Sequence, residues 1–268
     1  MKKIGFIGMG NMAQAIAGGF IKSGKIIGSD IFAYAPNQQK LEANAQTIGF
    51  NACPSLDSMI SECDAVIVAC KPYQIKDALG GKGSDARIAL KGKALLSVAA
   101  GWTHATFHEL LEDEVRIQCI MPNTPALVGE GVMLFEKTTS LTAAELSQVK
   151  DYFSALGIVV ELPSNLMGIG GAISGCGPAF MDMVMESYAD AAVKYGIDRA
   201  TAYTLVAQTM LGSARLHQIT GDHPGVLKDA VCSPGGTTIR GVDALEKNGL
   251  RGACISSIDA IMDFKTGK

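Results

Sequence analysis

Two short stretches combine glycines with hydrogen-bonding groups in a way that plain packing does not require. The first is Gly8-Met9-Gly10-Asn11-Met12-Ala13, a G-x-G-x-x-A pattern directly after an apolar run. In such a pattern the first glycine makes a tight turn and the second lets backbone N–H groups approach a pyrophosphate. The small third residue keeps the following helix close to the strand. The helix start then faces the anion with unpaired amides and the positive end of its dipole. The second stretch runs from Cys232 to Gly241, CSPGGTTIRG, ahead of a helix with the apolar stripe Ile239, Val242 and Leu245. The amides of Gly236, Thr237 and Thr238 and the hydroxyls of Ser233, Thr237 and Thr238 gather at that start. They suit a small carboxylate as well as a phosphate. The residues alone leave a simple turn capped by Ser233 equally open. Arg240 lies past the helix start and is secondary.

Other segments fall where a ligand between these loops is held. The second apolar strand ends at Tyr34-Ala35-Pro36-Asn37, without the acidic residue that usually bonds the ribose 2′-OH of NAD. Asn37 donates hydrogen bonds and Lys40 follows, which tilts the preference towards NADP. The strand ends Ala69-Cys70-Lys71-Pro72 and Ala99-Ala100-Gly101-Trp102-Thr103 carry small residues that leave room for a flat ring. Lys71 reads equally as a ligand contact and as an exposed strand-end lysine. Pro122 and Pro125 frame Asn123 and Thr124 in a stiff polar loop.

The elements that position these residues are legible from the hydropathy pattern. KIGFIG, DIFAYA, DAVIVAC, ALLSVAA and VRIQCI are short and nearly continuously apolar, as strands buried on both faces of a parallel sheet are. Amphipathic stretches between them read as crossover helices, including THATFHELLED from Thr103 to Asp113. A further strand pair, GVMLFEK and GIVVELP, brackets a helix capped by Thr142 with Glu145 three residues on. After Pro163 strand signals stop. Helices are expected from Pro178 to Tyr195, from the cap Asp198 to Gly221, from Pro224 to Val231 and from Leu250 to Phe264. The fold class is therefore α/β, with a Rossmann-type doubly wound domain over residues 1–162 and an all-helical domain over 163–268. Met181, Val184, Met185 and Tyr188 form a core or subunit-interface stripe, and Asp182, Glu186 and Asp190 a solvated face.

Composition narrows the partners. The 268 residues carry a formal charge of −3, with no polybasic run, which argues against nucleic acid and membrane surfaces. The 31 glycines exceed the usual share of about 7%. Seven scattered cysteines without CxxC spacing read as reduced thiols. No histidine or cysteine spacing suggests a metal. The opening MKKIGFIGMGNMAQAIAGGF has the look of a secretory leader, but Asn11 and Gln14 interrupt it at helical spacing. A cytoplasmic protein is expected.

The whole chain resembles the pyrroline-5-carboxylate reductases. The resemblance is carried by KIGFIGMGNMAQAI, VIVACKP, SVAAG, RIQCIMPNTPALVGEG, SGCGPAF and above all DAVCSPGGTTIRGVDALEKNGLRGA. It implies reduction of 1-pyrroline-5-carboxylate to L-proline with NADPH, or NADH, by an intertwined homodimer that is sometimes built into larger rings of dimers. It further implies that Ser233, Gly236, Thr237 and Thr238 hold the substrate carboxylate. Gly175 and Cys176 lie nearby, and the Thr238 hydroxyl faces the ring nitrogen. Gly8, Gly10, Asn11 and Met12 match the pyrophosphate loop, and Ala35, Pro36 and Asn37 the adenosine-ribose side. Ala69, Lys71, Pro72, Ala99, Ala100 and Gly101 match the nicotinamide side, flanked by Pro122 and Asn123. Cys176 stands where the family commonly has serine, and SNLMGIGGAI before it is less polar than usual. Two alternatives are a reductase of another small imino acid or carboxylate and a non-catalytic NADP-binding protein. A β-hydroxyacid dehydrogenase needs a lysine entering its second domain, and Ser164 to Gly177 contains none.

Overall fold

The computed structural model describes residues 1–81, 83–111 and 115–266. By packing, the chain forms two compact units, Met1–Gly175 and Cys176–Lys268. In the first unit the elements run β1 (Ile4–Ile7), α1 (Asn11–Lys22), β2 (Ile31–Tyr34), α2 (Gln38–Ile48), β3 (Asn51–Ala52), α3 (Leu56–Glu62) and β4 (Ala65–Val68). They continue with α4 (Ile75–Leu79), α5 (Asp85–Leu90), β5 (Ala94–Ser97), α6 (His104–Leu111), β6 (Arg116–Met121), β7 (Gly131–Thr139), α7 (Ala143–Ser154), β8 (Gly157–Leu162) and α8 (Met167–Gly175). The second unit holds α9 (Gly177–Lys194), α10 (Arg199–Thr220), α11 (Pro224–Ala230), α12 (Thr237–Lys247) and α13 (Leu250–Thr266). The last two residues of the helix expected to reach Asp113 lie outside the described residues.

One eight-stranded sheet, ordered β3-β2-β1-β4-β5-β6-β7-β8, organises the first unit. Its continuous apolar strands are explained by the period of two, which sends alternate side chains to opposite faces. Ile4 and Phe6 of β1, Ile67 of β4 and Leu96 of β5 enter one core with Phe20, Phe135 and Phe153. Ile7, Val66, Val68 and Leu95 enter the other with Ile60 and Phe107. The sheet departs from an all-parallel expectation at one junction, because β7 pairs antiparallel with β6 while β8 pairs parallel with β7. The short loop from Met121 to Gly131 turns the chain straight back beside β6, whereas α7 provides the crossover that returns β8 parallel to β7. The capping box Thr142–Glu145 forms as the sequence predicts.

In the second unit the helix ends follow their punctuation. Asp198 caps α10 by accepting from the Thr201 N–H, and Gly221 closes it in the left-handed region. Pro178 and Pro224 sit in the first turns of α9 and α11. Burial is sparse here: among the described residues from 176 onward only Ala189 and Ala202 are buried. Among the described residues no helix is long and apolar enough to cross a membrane.

Candidate active site

Strand register brings the expected cofactor segments to one edge. Ile7 pairs with Tyr34 on one side and with Val68 on the other, Val68 pairs with Ser97, and Ser97 with Cys119. Gly8, Ala35, Ala69 and Val98 therefore follow directly beyond one row at the carboxyl ends of parallel strands. That is where open α/β sheets bind ligands, at the point where strand order reverses around β1. The turn is tied down by backbone hydrogen bonds from the Gly8 N–H to Tyr34 O (2.8 Å) and from the Ala69 N–H to Ile7 O (2.9 Å).

The two glycines of the first loop have different causes. Gly8 has φ 91°, and a Cβ on it would sit 2.9 Å from backbone atoms of Cys70, so the fold itself demands glycine there. Gly10 is the N-cap of α1, has extended backbone, and a Cβ on it would meet nothing within 4 Å. The protein interior gives no reason for that missing side chain, whereas a ligand seated on the amides of Asn11 and Met12 does. The first turn of α1 carries no acidic residue and no side-chain cap, so it fits a pyrophosphate.

At the ribose side, Asn37 is the N-cap of α2, its Oδ1 accepting from the Lys40 N–H at 3.0 Å. Its Nδ2 is left to donate, and the first turn of α2 has no acidic residue. The Ala35 carbonyl is taken by Gln38 Nε2 at 2.8 Å. Lys71 is exposed beside Pro72, which starts a single 3-10 turn. Beyond β5, Ala99 is buried, Ala100 is exposed and Gly101 has φ 80°. Pro122 and Asn123 are buried. The Asn123 amide is committed within the unit: Oδ1 accepts the Val132 N–H (2.8 Å) and Nδ2 donates to Ser174 O (2.9 Å). That double role as a clamp on the end of α8 was not legible from the sequence.

The start of α12 is built differently from the simplest expectation. Gly236 rather than Ser233 is the N-cap. Ser233-Pro234-Gly235-Gly236 closes a β-turn in which the Gly236 N–H donates to Ser233 O at 3.0 Å, with proline second and Gly235 third at φ 70°. This is the type II pattern, which explains the Pro-Gly pair. The Gly236 amide is thereby used up, a correction to the expected donor set. Ser233 Oγ lies 2.5 Å from where a Gly236 Cβ would stand, so any larger residue there would have to turn the serine side chain aside. What remains free at this helix start is the amides of Thr237, Thr238 and Ile239, as at any helix start. Thr237 and Thr238 are exposed.

SGCGPAF is a tight helix junction rather than an open loop. Gly175 ends α8, Cys176 caps α9 without a side-chain bond, and the Ser174 hydroxyl donates back to Gly170 O at 3.0 Å. Gly175 and the Cys232–Gly241 stretch belong to different compact units. Among the described residues no group of three His, Cys, Asp or Glu side chains is placed to hold a metal. Burial raises the Cys70 thiol above the ordinary range, which makes it a poor nucleophile beside the loop.

Comparison with known proteins decides the family. Residues 3–101 match the model described as NADP oxidoreductase coenzyme F420-dependent, and residues 164–266 the one described as pyrroline-5-carboxylate reductase dimerisation. The pyrroline-5-carboxylate reductase of Escherichia coli (strain K12) is 38% identical over 262 residues, 98% of this chain and 96% of that protein. The chain belongs to the pyrroline-5-carboxylate reductase family. The Treponema pallidum reductase is 36% identical over 97% of this chain and 98% of its own. Among solved structures, the Plasmodium falciparum pyrroline carboxylate reductase with NADP bound superposes with a TM-score of 0.86 at 32% identity, covering 97% of this chain and 95% of that one. The Coxiella burnetii pyrroline-5-carboxylate reductase does so with a TM-score of 0.89 at 29% identity, covering 99% and 98%. This reductase carries out the NAD(P)H-dependent reduction of 1-pyrroline-5-carboxylate to proline in proline biosynthesis. It is a homo-oligomer, and the exposed Met181, Met183 and Tyr188 on α9 are the kind of surface that such an assembly covers.

Proposed function

We propose that the reductase divides its two ligands between its two units, the dinucleotide on the edge beyond β1, β2, β4 and β5 and the substrate carboxylate on the start of α12. The observation that carries this is the pair of vacated donors: the open space at Gly10 and the free amides of Thr237, Thr238 and Ile239. Gly8, Gly10, Asn11 and Met12 hold the pyrophosphate, and Ala35, Pro36 and Asn37 the adenosine ribose. The Asn37 Nδ2 and Lys40, with no acidic neighbour in the first turn of α2, favour the 2′-phosphate of NADPH over NADH. Ala69, Lys71, Pro72, Ala99, Ala100 and Gly101 line the nicotinamide side, with Pro122 and Asn123 as its buried wall.

When bound, NAD(P)H supplies the hydride. The protein's part is positional and electrostatic. The amides of Thr237 and Thr238 fix the carboxylate at the positive end of the α12 dipole, with Ser233, Gly236 and Cys176 around it. Anchoring the ring this way contributes up to about 7–11 kcal/mol when the reacting atoms are aligned. The Thr238 hydroxyl donates to the imine nitrogen, polarising the C=N bond, and relays a proton to it from water. A threonine is too weak an acid to surrender its own proton, so the relay accounts for a 10²–10⁴-fold effect of the ordinary acid–base size.

The working form is a homodimer through the helical unit, or a higher oligomer of such dimers, in the cytoplasm. Support comes from the exposed apolar helix faces and from seven cysteines that all stay free. Steady-state oxidation of NADPH with 1-pyrroline-5-carboxylate tests the site. Thr238→Ala should lower kcat/KM by about 10²–10⁴-fold; an unchanged value removes Thr238 from the mechanism.

A further inference from the structure

Glu136 is a carboxylate set in an apolar strand and only 2% exposed. Its Oε2 accepts the backbone N–H of His104, 32 residues away, at 2.8 Å. A buried carboxylate is costly unless hydrogen-bonded, and here a helix start offers both a donor and a favourable dipole. His104 is the first residue of α6. The next amides are treated locally: the Thr103 N–H donates to Thr106 Oγ1 (2.8 Å) and the Thr106 N–H to Thr103 Oγ1 (3.3 Å). Among the described residues of this helix start, the His104 amide is the one held by a distant strand. Burial, followed by the nearby Glu136 carboxylate, raises the pKa of the Cys119 thiol.

The consequence lies upstream. The segment between β5 and α6 is fixed at its beginning by the Val98 N–H on Val68 O (3.0 Å) and the Ala99 N–H on Ser97 Oγ (3.3 Å). It is fixed at its end by Glu136. Between those anchors Ala99, Ala100 and Gly101 span the edge. We propose that Glu136 is a positioning residue for the cofactor: by holding the first amide of α6 it sets where Ala99–Gly101 stand against the nicotinamide. This rests on the assignment of that loop to the nicotinamide side.

The test separates the two. In the intact enzyme, the paired substitution H104P/E136L removes the His104 amide donor and the Glu136 acceptor together, so neither partner of that hydrogen bond is left unpaired. Proline is also tolerated at a first helical position. The KM for NADPH should rise about tenfold, the loss of one charge-assisted hydrogen bond, while the KM for 1-pyrroline-5-carboxylate stays within about twofold. Glu136→Gln keeps an oxygen for the His104 amide and should hold the NADPH KM within about threefold of the parent. Equal rises in both KM values, no rise in the paired variant, or a Glu136→Gln enzyme as impaired as the paired variant would overturn the proposal. Ala100→Leu is the companion measurement. If it leaves the NADPH KM unchanged, the loop does not face the cofactor and both readings fall. If it raises the KM while H104P/E136L does not, only the role of Glu136 falls.

Discussion

The two units of this reductase solve the problem of burial in opposite ways. In Met1–Gly175 every central strand is covered on both faces, and Phe6, Phe20, Phe107, Phe135 and Phe153 are fully buried. In Cys176–Lys268, by contrast, Met183 is 66% exposed, Leu211 57% and Ile255 64%. The first unit carries its stabilising contacts inside itself. The second exposes the kind of side chains that normally make a core, a surface suited to being covered in a homo-oligomer. In the proposed division of ligands each unit also offers one helix start to an anion, α1 in the first and α12 in the second.

The sharpest way to break that contrast is to cut the core of the first unit. Phe153 packs edge-on against Phe20 (5.3 Å) and Phe135 (5.8 Å). Phe153→Ala should cost about 3–5 kcal/mol in urea unfolding, with the loss unaffected by protein concentration. Next in size, Leu211→Glu should leave the chain folded but weaken assembly roughly 10–100-fold, seen by sedimentation across a dilution series. An unchanged sedimentation profile would take that face of α10 out of the interface. Smaller still, Thr142→Ala removes the cap of α7 and should lower stability by about 1 kcal/mol, without changing assembly.

The smallest effect is on acid stability. Arg116 holds the Glu145 carboxyl below its ordinary 4.5, and the amides of Lys2 and Lys3 do the same for Asp64. A carboxyl whose folded pKa is depressed stabilises the fold above its unfolded pKa and loses that contribution as pH falls through the folded one. Melting temperature should therefore decline below about pH 4.5. Glu145→Gln should flatten the decline, and an identical pH profile would remove the Arg116–Glu145 pair as a cause.

Much of this was legible because local chemistry decides it. Period-two apolar runs marked the strands, and Thr142, Asp198, Gly221 and Pro224 marked helix ends where backbone groups need partners. The features that escaped are non-local or very short. Asn51–Ala52 is too brief to show a period, and α5 follows a glycine-rich stretch, Gly80 to Gly83, that reads as loop. The antiparallel entry of β7 depends on how a turn closes, which composition does not record. At the second glycine stretch a turn hydrogen bond took the Gly236 amide and moved the cap from Ser233 to Gly236. Glu136 left one trace, a lone acid in GVMLFEK, and its partner lies across the sheet.

The central claim, one ligand for each helix start, is tested most directly by measuring both KM values in two variants. Gly10→Leu fills space that the fold leaves open. It should raise the KM for NADPH by about tenfold or more and leave that for 1-pyrroline-5-carboxylate near the parent value. Thr238→Ala should do the reverse, with its loss in kcat/KM for the imine and an NADPH KM that hardly moves. If either variant shifts both constants alike, the two helix starts do not divide the ligands and the account is wrong.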